Sequence, residues 1–168
     1  MLTHSLYTNY WYAHNVTTQT PNPLALDQQV CFALAIASRS VIACYKPLLE
    51  PLGLTHPKYL VMLALWEHEP RRVKELAETL QLDPGTLSPL LKRLEAKGFV
   101  RRERDPHDER ALAVVLTDRG RALRTEAERI PPAIVERLGM DLDELMDLHQ
   151  RLLQVIAAAG PTPVGDPA

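Results

Sequence analysis

VKELAETLQLDPGTLSPLLKRLEAKGFVRRERDPHDERALAVVLTDRG, residues 73–120, is the stretch on which the fold turns. Val73, Leu76, Ala77 and Leu80 recur at i, i+3, i+4 and i+7, which lays four apolar side chains along one stripe of a short helix. After the turn Gln81-Leu82, Asp83 offers an N-cap and Pro84 a favourable first helical residue. Leu87, Leu90, Leu91 and Leu94 repeat the spacing, and Gly98 stops the second helix. Then the period changes. Phe99–Glu103 and Leu112–Leu116 have strand character and flank the polar loop 105–110, which predicts a hairpin with a long tip. Thr117 caps the helix that follows.

Two short helices followed at once by a charged hairpin make the order of a winged helix-turn-helix, and its second helix is built to enter the major groove of DNA. The expected fold is mainly α with a small β-hairpin wing. With the leucines turned to the core, Thr86, Ser88, Lys92 and Arg93 are left on the wet side of that helix. Short hydroxyls near a helix start suit base edges and phosphates, and the two cations suit the groove walls. Arg110 at the hairpin tip is placed to reach an adjacent minor groove, whose negative potential attracts arginine. Asp108 is read as holding Arg110 or Arg102 by a charge-assisted hydrogen bond. A cationic helix face alone is often only solvated surface. The weight lies in the combination of capped helix, basic strand and polar tip.

The formal net charge of −2 does not oppose this reading, because the charge is unevenly spread. Lys92, Arg93, Lys97, Arg101, Arg102 and Arg104 crowd a segment whose only acids are Glu95 and Glu103, while 136–147 is acidic. The local surface governs phosphate affinity, not the sum. With 46% hydrophobic and 24% charged residues, the 168-residue chain reads as globular and large enough to bury a core. No apolar run is expected to approach the ~20 residues that span a bilayer, and Met1–Tyr12 lacks the pattern of a signal peptide. The expected location is therefore the cytosol.

Outward from the centre, five segments follow. Residues 1–25 are polar and proline-punctuated and read as a flexible arm. Residues 26–70 carry two helices for dimerisation and sensing. The first begins at Asp27 with Val30, Leu34, Ala37 and Val41 in register, and Pro47 kinks or ends it. The second is capped by Thr55 and has Leu60, Leu63, Ala64 and Trp66 among its apolar positions. Residues 71–117 form the DNA-binding domain. Residues 118–160 hold further dimerisation helices, interrupted near Pro131-Pro132. Leu142, Leu145, His149, Leu152 and Ile156 there make a seam of period 3.5, suited to a helix of a second subunit. Residues 161–168 are a tail.

The central stretch resembles the core of the MarR family of dimeric bacterial regulators, most specifically in its basic strand, the "DER" of the wing and "LTDRG". The resemblance covers Asp27 to about Ala159. It implies a homodimer with intertwined terminal helices that binds a roughly palindromic double-stranded operator. "LDQQVCFALAIASRSVIACYKPLLEPLGLTHPKYLVMLALWEHE", residues 26–69, is further similar to the organic-hydroperoxide sensors of the OhrR type. Those carry one reactive cysteine early in the first helix, and Cys31 stands at that place. The resemblance implies a repressor that leaves its operator when Cys31 is oxidised by an organic hydroperoxide, after which the sulfenic acid captures a small cellular thiol. A tyrosine that donates to the cysteine across the subunit boundary corresponds to Tyr45. A second tyrosine of the pattern is His56 here, and a third is Ala35. His56 can still donate a hydrogen bond, and as imidazolium would favour a thiolate.

The chemistry of a sensing thiol agrees with this placement. The thiolate is the nucleophile towards peroxide, and a cysteine about one turn into a helix is still within reach of the helix dipole. Asp27 at i−4 opposes a second anion. Cys44 lies thirteen positions on, about 20 Å along a helix, too far for a disulfide with Cys31 within the chain. Six histidines, His56, His68 and His149 among them, show no ligand spacing, so no metal or other cofactor is expected. A thiol peroxidase would need a resolving thiol and a substrate pocket, and the sequence offers neither, so no enzymatic activity is expected. The alternative signal is a small phenolic or lipophilic ligand in the cleft between dimer core and winged domain.

Overall fold

The computed structural model describes residues 22–105 and 108–160. It divides into two compact units, one up to Ser38 and one from Arg39 onward. In the first unit a single 3-10 turn, Leu26–Gln28, precedes helix α1, which spans Val30–Leu49 and continues into the second unit. The helix thus starts three residues later than its apolar spacing suggested. Asp27 belongs to the turn and not to α1. Gln29 joins the two: its Nε2 donates to the carbonyls of Pro23 at 2.7 Å and Ala25 at 3.2 Å.

Pro47 sits inside α1 without ending it, and the chain turns only at Gly53, where φ is +69°. At 20 residues with mean hydropathy 1.3, α1 is long and apolar enough to cross a membrane by length and composition, contrary to expectation. Its two cations, Arg39 and Lys46, interrupt the sequence to the eye but leave the average high.

The second unit continues with α2 (His56–Glu67), β1 (Arg71–Arg72), α3 (Val73–Leu80), α4 (Pro84–Ala96), β2 (Val100–Asp105), β3 (Asp108–Leu116), α5 (Asp118–Ala127), α6 (Ile130–Leu138) and α7 (Leu142–Ala159). The sheet is antiparallel in the order β1-β3-β2. β1 carries no periodic signal because it is two residues long. The hairpin is longer than expected: Asp105 pairs with Asp108, so most of the assumed loop is strand.

Leu76, Leu87, Leu91 and Leu94 are fully buried, each contributing roughly 2–3 kcal/mol of transfer free energy. They meet Val100, Val114 and Leu116 of the sheet and Val61, Met62 and Leu65 of α2 in one core. In α2 the buried face is Tyr59, Val61, Met62, Ala64 and Leu65. Leu60 and Leu63, named among the apolar positions of this helix, are exposed, because the face opposite them meets α3 and α4.

Local chemistry sets the boundaries. Asp83 accepts from the Thr86 N–H at 2.8 Å and Thr117 from the Gly120 N–H at 3.0 Å, both as N-caps. A side chain at Gly120 would collide with the Phe99 carbonyl, so only glycine lets α5 start this close to the sheet. Asp141 and Glu144 form a capping box at α7. No residue of α7 is buried within the chain, and Leu142 and Ile156 are 65% and 50% exposed.

Candidate functional site

The outward face of α4 is built as its sequence suggests. Thr86, Lys92 and Arg93 are exposed and Ser88 is half-buried. Thr86 is doubly tied to the cap: besides its N–H, its Oγ1 donates to the second oxygen of Asp83. Those bonds hold the Asp83 carboxyl below its usual range. The Thr86 hydroxyl proton is thereby engaged, and the group faces outward as an acceptor with a methyl beside it.

The basic segment after α4 is partly neutralised from within. Glu95 accepts from the backbone and guanidinium of Arg102, and Arg101 pairs with Glu103. The Arg102 side chain holds the Glu95 carboxyl below its usual range. Arg102 is therefore held by Glu95. That partner sits seven residues back, at the end of α4, and a charge pattern alone does not disclose it. The backbone of Asp108 and Arg110 lies in β3, whereas their side chains lie outside the described residues. At the other edge Arg72 Nε meets the buried Asp105 carboxylate at 2.6 Å, fastening β1 to the end of β2.

Lys58 was not singled out by sequence reasoning. It occupies the first turn of α2 and is 8% exposed; burial, and after it the charges of Lys97 and Arg93, lower its pKa. The only hint in the sequence is a lysine directly before the buried run that begins at Tyr59.

The residues read as sensing fall into both units. Cys31 is in the first unit. It is the second residue of α1 and exposed, within the first turn and not one turn in. Tyr45 and His56 are in the second, with ring centroids 5.1 Å apart edge to face. Tyr59 follows at 6.0 Å from Tyr45, and Trp66 at 6.3 Å from Tyr59. Trp66 Nε1 donates to the Gly120 carbonyl at 2.9 Å, closing an aromatic row from the end of α1 to the start of α5. Burial pushes the His56 imidazole below its ordinary range and the Tyr45 phenol above its own. At neutral pH both are uncharged hydrogen-bonding groups, so an imidazolium at this position is disfavoured. Cys44 is half-buried against the core, and its carbonyl accepts from Arg137 at 3.0 Å.

The sequence profile of the MarR family matches residues 54–112, from the start of α2 into β3. The HTH-type transcriptional regulator TtmR of Methylorubrum extorquens (strain PA1) is 46% identical over 140 residues, which are 82% of this chain and 72% of the relative. The chain belongs to the MarR family. This MarR-family transcriptional regulator is also 42% identical, over 136 residues, to the organic hydroperoxide resistance transcriptional regulator of Bacillus subtilis (strain 168), covering 79% of this chain and 92% of that one. Among solved structures, AbfR of Staphylococcus epidermidis superimposes with a TM-score of 0.67 at 34% identity, covering 80% of this chain and 92% of its own. AbfR has also been solved in reduced form bound to DNA. The regulator is thus a winged-helix, DNA-binding protein and not an enzyme.

Proposed function

We propose that this regulator is a homodimeric repressor that senses organic hydroperoxides through Cys31 and then releases its operator. One observation carries the proposal: an exposed cysteine at the second residue of a long helix, in a chain 42% identical to an organic hydroperoxide resistance regulator. The thiolate attacks the peroxide oxygen, the O–O bond breaks, and the alkoxide leaves to take up a proton as the alcohol. Cys31 becomes a sulfenic acid, which condenses with a small cellular thiol to a mixed disulfide and water. In the dimer, Tyr45 and the neutral His56 are hydrogen-bonding groups for this site. The exposed apolar faces of α1 and α7 support association with a second copy. Thr86, Ser88, Lys92 and Arg93 contact the operator's major groove, and Asp108 and Arg110 belong to the wing that follows the adjacent groove. The protein acts in the cytosol, where Cys31 stays reduced until challenged.

Operator binding titrated with cumene hydroperoxide, wild type beside Cys31→Ser, tests this. Release of the wild type alone is expected. Release of both, or of neither, removes Cys31 as the switch and moves the signal to a ligand in the cleft.

A further inference from the structure

Lys97 and Arg93 lie within electrostatic reach of Lys58, where α2 packs on α4. Lys58 is buried along its stem, with only 8% of the residue exposed. Lys97 follows the last residue of α4, and its ammonium stands over Gly53 in the turn between α1 and α2, where an added Cβ would lie 2.9 Å from Nζ. Arg93 is one helical turn before Lys97 and acts on Lys58 with the same sign. Among the described residues no carboxylate pairs with any of the three, although Glu95, between Arg93 and Lys97, is committed to Arg102. Like charges brought together around a buried stem destabilise the free protein. Such an arrangement is relieved by an anion.

We infer that Lys58, Arg93 and Lys97, with the Gly53 turn, form a seat for one backbone phosphate of the operator at the C-terminal end of the recognition helix. This rests on the DNA-binding reading and deepens it: the contact comes from α2, outside the two helices and hairpin that define the winged unit. A backbone phosphate fits better than a free anion because two of the three cations belong to the recognition helix or its cap, so DNA laid along α4 carries phosphates past this point. The seat reads no bases. It fixes how far α4 sits in its groove. Lys58 shares the first turn of α2 with His56, so the seat and the Tyr45–His56 pair are carried by the same backbone segment.

The test is operator affinity of the full-length protein as a function of salt for wild type, Lys58→Gln and Lys58→Arg. Each phosphate contact contributes about 0.9 to the slope of log K against log salt, so a dimer losing two should fall by about 1.8. Lys58→Gln is expected to show that fall equally on operator and random duplex, and Lys58→Arg to keep the wild-type slope. Without DNA, Lys58→Gln is expected to melt at a higher temperature than wild type, because the repulsion is gone. A purely structural lysine would give a lower melting temperature instead. An unchanged slope in a folded Lys58→Gln overturns the inference while DNA binding stands. A wild type that binds no duplex overturns the DNA-binding reading itself. A third arm uses inorganic phosphate without DNA: saturable binding lost in Lys58→Gln, with operator affinity untouched, would make this a free-anion site and overturn the assignment.

Discussion

Position within a turn decides more here than residue type. Cys31 and Cys44 are chemically the same thiol on the same helix, yet one is exposed in the first turn and the other rests against the core. His56 illustrates the same point. Met by sequence, it is a candidate cation, but its half-buried place beside Tyr45 takes water away and pushes its pKa down, towards the neutral form. Glycine matters at two positions for two reasons: Gly53 for a positive φ under Lys97, and Gly120 for the approach of α5 to the Phe99 carbonyl. Gly120→Ala is expected to lose roughly 3 kcal/mol through backbone overpacking, read as a clear fall in melting temperature. A melting temperature equal to wild type would mean that the strand end yields freely at this point.

Among the elements, α4 was the most legible and the sheet the least. Capping, proline placement and an i, i+3, i+4 stripe are local properties, and Asp83, Pro84, Leu87, Leu91 and Leu94 behave as that stripe requires. β1 is invisible to periodicity because two residues hold no period, and of the β2–β3 hairpin only the ends nearest the tip escape prediction, because Asp105 and Asp108 are turn formers by composition. The face of α4 can be tested as a unit. Lys92→Ala should weaken binding to every duplex and lower the salt slope by about 0.9 per subunit. Thr86→Val, which removes the acceptor but retains a methyl, should relax base preference with little change in slope. If fluorescence anisotropy finds both variants binding operator and random DNA as wild type does, α4 is not the reading helix.

For the whole molecule, the main question is what covers the apolar surface left open at both ends of the chain. Val30, Leu34, Ile36 and Ile42 on α1 and Leu142, Met146, Leu153 and Ile156 on α7 are exposed in the single chain. That is far more than scattered surface leucines explain. Covering by a second copy also accounts for α1 having the hydropathy of a membrane segment in a DNA-binding family. Ile156→Glu should shift the protein towards monomer in sedimentation velocity and weaken operator affinity by about 100-fold, since two linked half-sites become two separate ones. A variant that remains dimeric and binds fully would take α7 out of the interface.

By itself the sequence determined the helix-helix-hairpin order, the caps at Asp83 and Thr117, and the buried leucines of α3 and α4, whereas Cys31 was singled out by resemblance to the hydroperoxide sensors and not by any local pattern. The order, the caps and the buried leucines are set by neighbours within a turn or two, where propensity, capping and periodicity act. Only the tertiary structure decided that α2 turns Leu60 and Leu63 outward, that Glu95 takes Arg102, and that Lys58 stands with Arg93 and Lys97. The physical reason is common to all three. Which face of a helix meets its neighbour, and which distant charge lies across the gap, are settled by packing between elements, and no local pattern carries that information.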